Sequence, residues 1–204
     1  MSGAVVVEDV GVPISERGPS PRRAIVGYGF WLFLLSDIIV FSALFAAYAV
    51  LSGHTAGGPT GVQLFRRGNV LAETACLLFS SFSCAMMALA IEFRHRLLMV
   101  AAAALTFALG AAFLWLELTE FGSMLANGAG PGRSAFLSAF FALVGMHGLH
   151  VTAGLFWLVA MMAQVFTLGF RPMVCSRLAC FSLFWHALDI VWIGVFTIVY
   201  LGAR

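Results

Sequence analysis

The chain has 204 residues, 62% of them apolar and 10% charged, and its mean hydropathy of +1.01 demands more interior than a soluble domain of this length has. Its formal net charge of +2 is too small to suggest a nucleic-acid partner, so the basic residues, all arginine, report membrane topology instead. The composition predicts an all-α integral membrane protein, a five-transmembrane-helix bundle with no separate soluble domain.

Residues 1–26 contain the short run Val5 to Val7, followed by acids, prolines and arginines. That run is too short for the apolar core of a secretion signal, so the segment reads as a mobile cytoplasmic tail. The remainder, 27–204, reads as the membrane domain, with spans at about 27–51, 70–91, 97–121, 136–168 and 178–201. Each is apolar on nearly every face. At roughly 1.5 Å per residue, each is long enough to cross roughly 30 Å of hydrocarbon.

The connectors alternate in character. The first carries Gly57, Gly58, Pro59 and Gly61, which break helices; the third is GSMLANGAGPGRS. The second is only about EFRHR, which forces the second and third spans to be antiparallel neighbours. The fourth, GFRPMVCSR, is short and basic. Arg17, Arg22, Arg23, Arg94, Arg96, Arg171 and Arg177 fall on the N-terminal side, against Arg66, Arg67, Arg133 and Arg204 on the other. The positive-inside rule then places the N-terminus in the cytoplasm and the C-terminus outside. Two stripes of small residues, Cys76, Ser80, Cys84 and Ala88 on the second span and Ala104, Ala108 and Ala112 on the third, suit close helix packing. The four cysteines have neither zinc nor redox spacing.

An ionisable side chain in hydrocarbon costs a few kcal/mol or more, about 2.5–3.5 on insertion scales, so each needs a partner or a path to water. Asp37, His147, His150, His186 and Asp189 all fall near mid-depth. Glu73, Glu117 and Glu120 fall nearer the outer ends of their spans, where interfacial water is within reach. Residues three apart share a helix face. By that rule His147 pairs with His150, His186 with Asp189, and Glu117 with Glu120. Such pairs suit a proton relay or metal site, but the plainer reading is buried hydrogen bonding that locks helix register. Asp37, with no basic residue in its own span, reads as a hydrogen-bond donor as readily as a charge. Only three imidazoles lie at depth, and no Glu-x-x-His pair accompanies them, so no redox metal or other cofactor is expected in this chain.

Several of these residues sit in longer words. FLSAFFALVGMHGLHVTAG (Phe136 to Gly154) and FWHALDIVWIGVFTIVYL (Phe184 to Leu201) resemble the last two helices of subunit III of haem-copper terminal oxidases. The stretch around Asp37 resembles that family's helix with a buried carboxylate, and LWLELTEF its helix ending in a Glu-aromatic pair, here Glu120 and Phe121. The resemblance covers roughly residues 27 to 201. Five helices, together with the words TAGGPTG and NGAGPGRSAFLSAFFALVG, are similar to the bacterial bo-type quinol oxidase branch rather than the seven-helix cytochrome c branch. The resemblance implies a non-catalytic subunit of a proton-pumping ubiquinol oxidase in the aerobic respiratory chain of the bacterial inner membrane. Haem and copper would lie in the partner catalytic subunit. It implies subunits I, II and IV and membrane phospholipid as partners, and support of assembly, stability and sustained proton uptake as the role. The residues themselves leave two other classes open: an independent transporter or proton channel using the mid-depth acids and histidines, and an intramembrane metalloenzyme.

Overall fold

The computed structural model describes residues 22–55, 57 and 67–202. Most of the N-terminal tail, the helix breakers Gly58, Pro59 and Gly61, Arg66 and Arg204 therefore lie outside the described residues. Five long helices account for nearly all the rest: α1 Arg22–Leu51, α2 Arg67–Glu92, α3 Arg96–Ala126, α4 Ala135–Leu168 and α5 Pro172–Val195. A π-helical turn, Phe196–Leu201, continues α5. All five are long and apolar enough to cross a membrane. The protein is an all-α, multi-pass membrane helix bundle.

The helix ends follow from local chemistry. Ser134 caps α4 by accepting from the Leu137 amide at 3.2 Å, and Pro172 opens α5 where its missing N–H has no partner to lose. Helix α3 closes with the Ala129 amide bonded to Met124 O and the Gly128 amide to Leu125 O, a pair that requires a left-handed residue, supplied by Gly128 at φ 71°. Helix α2 closes by the same two bonds, His95 to Ala90 O and Arg94 to Ile91 O. There the left-handed residue is Arg94, at φ 55°, at a cost of roughly 1 kcal/mol. The tight turn sends α3 straight back along α2, and these two form the most extensive helix pair.

Helix α5 closes the bundle against α2 and α4, while α1 leans on α4 and α5 from outside. Its contacts there are largely aromatic: Phe30 with Trp157 at 5.8 Å, Phe41 with His150 at 5.1 Å and Tyr48 with Phe136 at 6.0 Å between ring centroids. The α2 stripe does face its neighbours, for Ser80 and Cys84 are buried. The α3 stripe does not: Ala104, Ala108 and Ala112 are exposed, and Ala102, Ala103, Thr106 and Gly110 turn inward instead. The rotation of α3 is set by Phe113, Glu117 and Glu120, whose burial outweighs the small packing gain of an alanine seam.

Candidate functional site

Three polar clusters occupy the bundle. At the end bearing the Gly128 turn, Glu73 of α2 lies beside Glu117 and Glu120 of α3, and Tyr200 of the π-helical turn and Tyr48 of α1 adjoin them. These carboxyls do not reach for interfacial water; Glu73 is fully buried, and Glu117 and Glu120 are nearly so. The helices extend past them, α3 as far as Ala126. Gly148 makes room, because a Cβ there would lie 2.7 Å from Glu117 Oε1.

At mid-depth, His147 and His150 share a side of α4 but not an environment. His147 is fully buried, ringed by Phe41, Phe113 and Trp192 at centroid distances of 6.3, 5.7 and 5.1 Å. Neither of its ring nitrogens has a hydrogen-bond partner. His150 lies one turn along. Its Nδ1 is 2.8 Å from Met146 O, and a carbonyl only accepts, so Nδ1 carries the proton. Its Nε2 points across to α1, 3.8 Å from Asp37 Oδ1.

The third cluster joins α2 to α5. Ser81 Oγ is 2.7 Å from His186 Nδ1, and Asp189 adjoins both. On either side of it along α5, two indoles are tied to hydroxyls of α2: Trp185 Nε1 donates to Ser80 Oγ at 3.0 Å and Trp192 Nε1 to Thr74 Oγ1 at 3.1 Å. The sequence reading passed over these tryptophans. Their signal was position, since tryptophan normally sits at the membrane interfaces and, when deep, needs a partner for its N–H.

The structure thus gathers the three glutamates, pairs Asp37 with His150, and separates His147 and His186 by the Trp192 and Trp185 side of α5. Among the described residues no group of three or more His, Cys, Asp or Glu side chains is arranged to hold a metal ion.

Comparison with known proteins agrees with the residue words that pointed to an oxidase subunit. The family model described as Cytochrome c oxidase subunit III matches residues 21–203. Cytochrome bo(3) ubiquinol oxidase subunit 3 of Pseudomonas aeruginosa is 52% identical over 174 residues, 85% of this chain and 83% of that protein. The protein of the same name from Pseudomonas putida is 51% identical over 173 residues, 85% of this chain and 84% of its own. Quinol oxidase subunit 3 of Bacillus subtilis is 42% identical over 191 residues, covering 93% of this chain and 92% of its own. With the family model matching residues 21–203 and relatives of 51–52% identity covering most of both chains, the chain belongs to the cytochrome c oxidase subunit III family.

Proposed function

We propose that the chain is subunit III of a bo-type ubiquinol oxidase and carries no redox centre itself. It packs beside a catalytic subunit holding haem and copper, with subunits II and IV and phospholipid as further neighbours. The complex sits in the bacterial inner membrane, with the N-terminus of this chain in the cytoplasm and its C-terminus in the periplasm. The observation that carries the reading is identity of 51–52% over most of both chains with proteins of that name.

The buried polar groups favour a supporting role. His147 packs as an aromatic side chain among Phe41, Phe113 and Trp192, which supports a packing role. His186 bonds Ser81 across α2 and α5, whereas His150 bonds Met146 O within α4 and only faces Asp37 of α1. Asp37, Glu73, Glu117, Glu120, His147, His150, His186 and Asp189 accordingly serve bundle register, and Asp37, at the α1 edge, also meets lipid.

The test is gentle solubilisation through a tag on this chain. Copurification with haem at a fixed ratio is expected, with no Soret band on the chain once isolated. A haem-free chain running alone would favour the transporter reading.

A further inference from the structure

At the end of the bundle bearing the Arg94 turn, a cleft of about 550 Å³ opens between the close of α2 and the start of α5. Its walls are apolar, made by Ala88 and Ile91 of α2, Phe170 of the α4–α5 turn and Ala179 of α5, while Glu92 and Arg94 supply its charge. Glu92 is the last residue of a helix long and apolar enough to cross a membrane. The two charges therefore stand where the hydrocarbon ends, and the apolar walls lie just inside it.

Neither charge is spent on the other. The one ion pair among the described residues joins His150 to Asp37, so Glu92 and Arg94 line the same cleft without bridging it, and both are exposed. Two helix ends add the same pair of signs. Helix α2 closes at Glu92 and turns the negative end of its dipole toward the cleft, whereas α5 opens at Pro172 and turns its positive end. The N-cap of α5, Arg171, gives its first turn no side-chain hydrogen bond, and Pro172 and Cys175 of that turn line the cleft. An anionic oxygen is the natural acceptor there. The cleft thus presents one cationic and one anionic pole beside an apolar floor.

We infer that this cleft binds one phospholipid whose headgroup carries both a phosphate and a primary ammonium, a phosphatidylethanolamine. The phosphate sits between Arg94 and the first turn of α5, and the ammonium donates to Glu92. The glycerol and the start of the acyl chains cover Ala88, Ile91, Phe170 and Ala179. Other headgroups match one pole only. A glycerol headgroup brings a phosphate but no cation, which leaves Glu92 beside a like charge, and a trimethylammonium has no N–H to give to a carboxylate. A free phosphate would leave the apolar floor uncovered. The inference deepens the phospholipid contact in the function proposed above and rests on it.

The intact complex in vesicles supplies the test, with photoactivatable phosphatidylethanolamine, phosphatidylglycerol or phosphatidylcholine added in turn and the labelled peptides mapped by mass spectrometry. Labelling around Leu118, which is exposed on α3 toward the opposite end, measures bulk lipid. Relative to that reference, phosphatidylethanolamine is expected to label the Ala88–Arg94 and Phe170–Ala179 peptides about fivefold more than the other two, the scale of one charge contact at the membrane surface. R94Q should lower that labelling about fivefold, and E92K should reverse the order in favour of phosphatidylglycerol. Both changes are at exposed positions, so the bundle keeps its core. Excess soluble phosphoethanolamine should leave the labelling in place; its loss would point to a site for the free headgroup and overturn the lipid assignment. Equal labelling by all three lipids in the wild type would overturn the inference, as would unchanged labelling in both variants. A cleft that no lipid labels while Leu118 is labelled would also overturn it, since protein would then cover the cleft. Labelling at neither place would instead remove the phospholipid contact of the wider reading.

Discussion

Gly154 of α4 lies directly against the indole of Trp185 on α5: a Cβ at residue 154 would stand 2.9 Å from Trp185 Cζ3 and 3.1 Å from Phe184 Cε1. Gly110 of α3 meets the adjoining part of the same indole ring, where a Cβ would stand 3.0 Å from Trp185 Cη2. The two glycines form the slot that lets Trp185 reach Ser80. The indole is buried and held by its hydrogen bond, so it has no free direction in which to yield. Gly154→Ala should therefore destabilise the bundle by about 1–3 kcal/mol, the usual cost of an extra methyl in a packed core. Gly122→Ala is the control. Nothing lies within 4 Å of that position, and alanine gains roughly 1 kcal/mol of helix preference over glycine. Thermal unfolding of the detergent-solubilised complex should drop for the first variant and hold or rise for the second. Equal midpoints would mean that the slot relaxes freely.

His147 separates a structural histidine from a relay. Replacing it with leucine, of similar volume, removes two ring nitrogens without a partner among the described residues, whose burial costs roughly 1–3 kcal/mol each. The same change forfeits aromatic contacts worth roughly 0.5–1.5 kcal/mol each. With three such contacts the two effects nearly cancel. His147→Leu is expected to leave thermal stability within about 1 kcal/mol of the wild type, with initial oxygen consumption unchanged. Loss of the first turnovers in a stable, fully assembled complex would assign His147 to proton transfer.

Asp37 faces His150 from α1, with side-chain exposures of 22% and 17% and an oxygen–nitrogen distance of 3.8 Å. That separation is too long for a hydrogen bond, so the pair depends on position more than on a shared proton. Asp37→Asn keeps the shape and removes the ionisable carboxyl. Initial proton-to-electron ratios in vesicles should stay near those of the wild type, and any effect should emerge as shortened working life over many turnovers. Immediate loss of pumping in an assembled complex would contradict the supporting role.

Topology has a direct readout. With the N-terminus in the cytoplasm, a periplasmic reporter fused within residues 92–96 should be silent and one fused after Arg204 active, because the short basic turns stay on the cytoplasmic side. The reverse pattern would invert the bundle.

The sequence by itself determined the class and the spans. Every apolar block of about 20 residues has only one way to satisfy its backbone in hydrocarbon, which is to become a helix. It also located the acids and histidines along each helix, since depth follows from counting at roughly 1.5 Å per residue. Tertiary structure alone decided what each of them meets. Glu73 lies 44 positions before Glu117, and no periodicity in either helix announces that they converge. Residues three apart share a side of a helix, yet His147 is enclosed by aromatics while His150 turns to Asp37, because α1 covers one turn of α4 differently from the next. The alanine stripe on α3 failed as a guide to packing for a related reason. In lipid, small residues permit close approach without compelling it, and the rotation of a helix is set by the side chains that cannot tolerate hydrocarbon, here Glu117 and Glu120.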